Sequence, residues 1–306
     1  MSNFDRDKAP HDSDPAEFHT DSSSPQRSSV TPTSPFADEA TIVTAELVET
    51  SEPSTLPTKP LLWPAISTVL AAILTALFVS TVTLGVSAIA MGQVNRLSDP
   101  DSLTDWLVEF SGTRFGLILL IVPGQLVFAL AALFAAFLSN EPWRERLGLH
   151  NGRLPVWTWP LFMIGTPMVG LFGGMLTSNF AGEPSEHLKL FEKMFDFQSV
   201  GTLLLLMILV SLLPGIVEEI LFRGFLQRRL LQRFSATSAI AICSVFFAAA
   251  HMDPMHALGV LPLGIWLGIV AWQADSIWPA IFGHVGNNGS AIVMSKLAGP
   301  DATTPE

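Results

Sequence analysis

Six residues have the types and spacing for hydrolytic chemistry: Glu218, Glu219, Arg223, His251, His284 and Asn288. The first three lie in Pro214-Gly215-Ile216-Val217-Glu218-Glu219-Ile220-Leu221-Phe222-Arg223-Gly224, directly after Leu203–Leu213, which has no ionisable group. Charges inside such an apolar run are costly and tend to face a bundle interior, where they act on substrates or ions. Glu219 and Arg223 are four apart with the carboxylate first, so they can pair along one helix face. Glu218 points about 100° away from Glu219 around the helix and has no cation one turn away. One carboxylate is thereby neutralised locally and the other is left for chemistry. The competing reading is a structural polar cluster that ties helices together.

Two further polar sites follow: Phe247-Ala248-Ala249-Ala250-His251 and His284-Val285-Gly286-Asn287-Asn288. His284 and Asn288 share a helix face at i,i+4. Peptide hydrolysis needs an activated water, a site for the oxyanion and a proton for the leaving amine. Glu218 is the candidate general base and then acid, with His251 sharing the proton traffic. His284 and Asn288 can donate to the developing oxyanion. Ser211 and Ser290 have no assigned partner, and Cys243 is about two helical turns from His251, so no serine or cysteine nucleophile competes.

One glutamate and two histidines are also the ligand set of some zinc peptidases. The zinc reading would take Glu218, His251 and His284 as ligands and would need another group as base. His-Glu-x-x-His is absent, and the residues lean toward metal-free glutamate catalysis, with zinc kept as the alternative.

The elements that must position these groups are membrane helices. The 306 residues are 49% hydrophobic and only 14% charged, where about a quarter charged is usual for soluble domains. The apolar residues fall in seven blocks near bilayer-spanning length, at 62–91, 115–139, 156–180, 200–222, 235–251, 256–273 and 277–297. The fifth and sixth are the shortest and carry polar interruptions. Residues 1–60 are rich in Ser, Pro, Thr, Asp and Glu, the composition of a disordered tail. The division expected is a tail at 1–60, helices and loops at 61–199 and a catalytic membrane part at 200–297. No basic tract points to nucleic acid. Cys243 is the lone cysteine, so neither an intrachain disulfide nor a Cys-based metal site is available.

Arg144, Arg146 and Arg153 in 140–155, and Arg223, Arg228, Arg229 and Arg233 in 223–234, alternate with acidic 92–114 and net-acidic 181–199. The positive-inside rule then puts the N-terminus in the cytoplasm, and seven spans put the C-terminus outside. Counted along ideal helices, Glu218 lies about 16 Å deep, His284 about 12 Å and Asn288 about 18 Å. His251 comes out at roughly 24 Å and fits least well. Pro214-Gly215 is expected to break or kink the fourth helix just before the acidic pair.

The ordered trio Glu-Glu-x-x-x-Arg at 218–223, Phe-x-x-x-His at 247–251 and His-x-x-x-Asn at 284–288 resembles the motifs of the CAAX-protease and bacteriocin-processing family. These intramembrane peptidases are often labelled Abi or CPBP metalloproteases, and they include the type II CAAX prenyl endopeptidases. Leu263-Gly264-Ile265-Trp266-Leu267-Gly268 and Asp275-Ser276-Ile277-Trp278-Pro279-Ala280-Ile281 are similar to the family's final segments, and Arg144-Glu145-Arg146-Leu147-Gly148-Leu149 is a weaker match. The chain departs from the family's frequent Arg-Thr-Gly before Ser276, carrying Gln273-Ala274-Asp275, a change expected at a turn where Asp275 or Ser276 caps the last helix. The resemblance implies an all-α transmembrane bundle with endopeptidase activity. It assigns Glu218 and His251 to water activation, His284 and Asn288 to the oxyanion, and Arg223 to support.

The partners expected are the lipid bilayer and a membrane-bound peptide or protein, either a CAAX-like tail or a leader-type peptide. The inside-positive pattern reads as a bacterial plasma membrane, which disfavours prenylated substrates. A non-catalytic regulatory or binding protein on the same scaffold is the alternative. A transporter would need two similar halves with matching broken helices, and the polar groups sit only in the C-terminal half.

Overall fold

Blocks of twenty or more apolar residues form helices because each backbone N–H and C=O must be satisfied within its own segment once water is excluded. The computed structural model describes residues 61–138, 141–180 and 199–298, and every regular element among them is helical. The disordered tail expected at 1–60, and most of the 181–199 loop, lie outside the described residues.

The helices are α1 (Trp63–Ala90), α2 (Pro100–Ser111), α3 (Arg114–Phe137), the single turn α4 (Trp143–Arg146), α5 (Trp159–Gly165) and α6 (Pro167–Phe180). They continue with α7 (Val200–Leu231), α8 (Ala236–Ala249), α9 (Pro254–Ala274) and α10 (Trp278–Ala298). A helix covers each of the seven apolar blocks. Among the described residues, five helical stretches are long and apolar enough to cross a membrane, with α5 and α6 together forming one of them. Large apolar side chains such as Leu74, Phe78, Phe134 and Ile164 face outward, which suits acyl chains and would be unfavourable as a contiguous face in water. The chain is a multi-pass membrane protein.

Three elements differ from expectation. First, α7 does not break at Pro214-Gly215. It remains helical for 32 residues, with π-helical stretches at Met207–Leu212 and Ile220–Gln227 on either side. Wider i→i+5 turns of this kind absorb a local mismatch without ending a helix, and they recur at functional sites. Second, 223–234 is not a loop after a span ending at 222: α7 runs on to Leu231, so Arg223 lies inside the helix and is fully buried. Third, 92–114 contains α2, capped by the Asp99 side chain on the Ser102 N–H. The Ser102 hydroxyl and then its backbone N–H hold the Asp99 carboxyl below its ordinary range. α2 folds Trp106 and Phe110 inward as a stacked pair.

The core that carries the site joins α1, α3, α7 and α8 through Val69, Ala132, Leu221, Phe222, Ala239 and Phe247. Close approaches complete it. A Cβ at Gly286 would strike the backbone of Met163, one at Gly173 the backbone of Gly259, and one at Gly215 would crowd Val285. Gly215 therefore lets α7 rest against α10 beside the acidic pair, rather than interrupting α7.

Candidate active site

α7 supplies the two carboxylates and sorts them as their spacing implies. Arg223 Nη1 donates to Glu219 Oε1 at 2.8 Å, with both side chains fully buried. The same guanidinium donates through Nη2 to the Gly264 carbonyl on α9 at 2.9 Å and lies over the Phe247 ring at 4.4 Å. Arg223 is thus held by an anion, a carbonyl dipole and an aromatic face, while its Nε is buried without an acceptor.

Glu219 has a second partner that local spacing does not reveal. Its Oε1 also meets His284 Nδ1 from α10, at 2.9 Å. A carboxylate accepts, so Nδ1 carries the hydrogen and His284 presents Nε2. Such a carboxylate–imidazole pair fixes the ring orientation and which nitrogen faces away from the carboxylate.

Glu218 has no ion-pair partner on its own helix. Its Oε1 accepts from Gln125 Nε2 of α3 at 2.9 Å. Gln125 is the functional candidate that motif reasoning missed. It is the lone polar side chain in α3 beyond Arg114, and a single amide in so apolar a span was the available signal.

His251 is not on a facing helix. α8 has 14 residues and ends at Ala249, a rise of about 21 Å against a hydrocarbon core of about 30 Å. The chain reverses within the bundle through Met252 at φ 58° and restarts where Asp253 accepts from the His256 N–H at 2.8 Å. His251 sits in this reversal, just beyond the C-terminal end of α8. Its Nδ1 lies 3.0 Å from the Phe247 carbonyl. A carbonyl only accepts, so Nδ1 bears the hydrogen and Nε2 keeps a lone pair. The His256 ring packs edge-on against it, centroids 4.7 Å apart.

Asn288 is tied at both ends of its amide. Nδ2 donates to the Val210 carbonyl at 3.1 Å, and Oδ1 accepts from Asn287 Nδ2 at 3.1 Å. One Nδ2 hydrogen remains. The other polar groups nearby are committed elsewhere: Ser211 donates to the Val285 carbonyl, Ser290 to the Asn287 carbonyl and Cys243 to the Phe222 carbonyl. Asp253 caps α9. Ser276 accepts from the Trp278 N–H at the start of α10, while Asp275 ends α9 at φ 49°.

Glu218, His251, His284 and Asn288 all line one cavity of about 590 Å³, which Gln125, Asp253, His256 and Asn287 also border. Apart from Ser80, its remaining wall is apolar, with Ile73, Ala76 and Leu77 of α1 and Leu120, Ile121 and Phe128 of α3. Glu219 and Arg223 stand behind this wall, holding His284. Among the described residues no three His, Cys, Asp or Glu side chains converge closely enough to hold a metal ion. Glu218, His251 and His284 do not form a ligand cage in this arrangement.

A bundle whose cavity between membrane helices brings together Glu218, Asp253, three histidines and two asparagines amid apolar side chains defines a class, the polytopic membrane proteins with a buried polar site. The comparisons with known proteins narrow it. Residues 200–290 match the family model described as type II CAAX prenyl endopeptidase Rce1-like, so the resemblance carried by the three motifs holds over the stretch that contains all of them. The chain is also similar to a Bacillus subtilis (strain 168) protein named "Putative membrane peptidase YdiL", at 33% identity over 90 residues. That match covers 29% of this chain and 37% of the relative's length. No solved structure matches the chain.

Proposed function

We propose that this protein is an intramembrane endopeptidase that hydrolyses a peptide bond in a membrane-associated substrate. The observation that supports it best is the convergence of Glu218, His251 and His284, from three separated motifs, on one cavity between apolar helices. Residues 200–297 form the catalytic part in this reading, and 61–199 supply its walls and Gln125.

The reaction follows from the tautomers. A water between Glu218 and the unprotonated His251 Nε2 loses a proton to Glu218 as its oxygen attacks the scissile carbonyl carbon. The carbonyl π electrons move to oxygen, where His284 Nε2–H and the remaining Asn288 Nδ2–H stabilise the charge. Donation from both ring nitrogens makes His284 an imidazolium in this step, with the Glu219 carboxylate beside Nδ1 as its counter-charge. The C–N bond then breaks as the proton on Glu218 passes to the leaving amine. Gln125 aims Glu218 while leaving its second oxygen to water.

The substrate is a membrane-bound peptide, either a CAAX-like tail or a leader-type peptide. The protein lies in the cell membrane with its N-terminus and the Arg-rich 140–155 segment in the cytoplasm. The test is cleavage of quenched fluorescent peptides of both classes by the full-length protein in liposomes. Turnover of one class supports the reading. No turnover of either, by protein that is folded and monodisperse, favours the non-catalytic scaffold.

A further inference from the structure

A second cavity, also about 590 Å³, opens where α7 ends and the 141–153 segment crosses α9, away from the acidic pair. Arg146, Arg153, Arg228 and Arg229 line it, together with Glu141, Glu145 and Asp275. The carboxylates are largely committed. Glu141 lies 3.5 Å from Arg146, Asp275 3.2 Å from Arg228, and Glu145 4.0 Å from His150. Arg229 Nη1 donates to the neutral Gln232 side chain at 2.8 Å. Among the described residues no carboxylate is within ion-pair distance of Arg153 or Arg229. Glu141 attracts Arg229 at longer range, and the like charge of Arg146 opposes it. Arg146 Nε is buried with no hydrogen-bond acceptor.

The cavity walls are preformed. The Arg153 N–H donates to the Ala274 carbonyl, the Ile277 N–H to the Gly148 carbonyl and Ser276 Oγ to the His150 carbonyl. Gly148 adopts φ 66° with the Arg228 side chain packed where a Cβ would point. Half-exposed Trp272 and Phe234 stand at the rim, the residue types that favour the bilayer–water boundary.

We infer that this cavity binds a phosphate group presented by an anionic lipid, with Arg153 and Arg229 as its principal donors. Guanidinium groups match phosphate oxygens in geometry and charge. Basic pockets between helix ends at the headgroup level suit such lipids. The shared apolar lining, from Phe225 and Leu231 as well as the rim aromatics, suits an amphiphile better than a free ion.

The experiment is native mass spectrometry of the full-length protein from micelles holding equal phosphatidylglycerol and phosphatidylcholine, beside thermal unfolding with and without inorganic phosphate. The parent is expected to retain phosphatidylglycerol at least ~10-fold over phosphatidylcholine, in line with two basic side chains at a headgroup. Arg153→Gln/Arg229→Gln should lose the preference, and Arg153→Lys/Arg229→Lys should keep most of it. Equal retention of the two lipids by the parent, or an undiminished preference in the Gln double variant, overturns the site. Stabilisation by inorganic phosphate without any lipid preference overturns the lipid source and assigns a soluble phosphate instead. The cleavage assay is separate from this readout.

Discussion

His284 Nδ1 and Glu219 Oε1 lie 2.9 Å apart across the α10–α7 interface, on the same carboxylate oxygen that receives Arg223 Nη1 at 2.8 Å. The glutamate that spacing assigns to a local ion pair is therefore also the one that holds a site histidine. Structural and chemical roles meet at one atom, and single substitutions should separate them.

Arg223→Ala leaves Glu219 buried with His284 as its remaining partner, and removes the donor to the Gly264 carbonyl. Breaking one partner of a buried pair typically costs about 3–5 kcal/mol. Thermal unfolding in detergent should show a large drop. An unchanged melting temperature would mean that the pair contributes nothing to holding α7 against α9.

Glu218→Gln keeps an oxygen that can accept from Gln125, so the fold should persist. Peptide cleavage should fall by at least ~10², the range for loss of a general base. Glu219→Gln should lose thermal stability as well as activity, because it strands Arg223. Parent-like cleavage by Glu218→Gln would remove Glu218 from the chemistry and return the polar cluster to a purely structural role.

Gln125→Leu removes the one donor to Glu218 Oε1 and fills similar volume. A hydrogen bond to a charged group is worth about 1.5–3 kcal/mol, so kcat should drop roughly 10- to 100-fold with KM little changed. Gln125→Asn, one methylene shorter, should recover little. A fall confined to KM would instead place Gln125 against substrate.

Metal content separates the two chemistries left open by the residues. Glutamate-only catalysis predicts substoichiometric zinc in the active parent by elemental analysis and no inhibition by a membrane-permeant chelator. Stoichiometric zinc that falls in Glu218→Gln, with chelator inhibition, would replace the metal-free route.

Orientation is accessible because Cys243 is buried and hydrogen-bonded, so single cysteines introduced elsewhere should label above a low background. Cysteines in 140–155 should react only after permeabilisation, and those in 92–114 directly from outside. Labelling of 140–155 in intact cells would reverse the topology.

The amino-acid pattern by itself determined the helices, the seven apolar blocks and the three polar motifs, because hydropathy and i,i+4 spacing are local properties of a chain. It also determined that Glu219 pairs with Arg223 while Glu218 does not, since both facts follow from one helix's geometry. It did not show that α7 continues through Pro214-Gly215 instead of breaking there, because an isolated helix has no reason to widen into π turns; the packing of Gly215 against Val285 across the bundle supports a continuous α7. Only the tertiary structure decided that His284, 65 residues on, lands on Glu219, and that Gln125, 93 residues before, lands on Glu218. Helices this apolar on every side present no polar stripe from which a facing partner can be read. The contacts were settled by small residues, the early end of α8 and the backbone reversal at Met252, which together decide how closely the helices approach and where His251 stands.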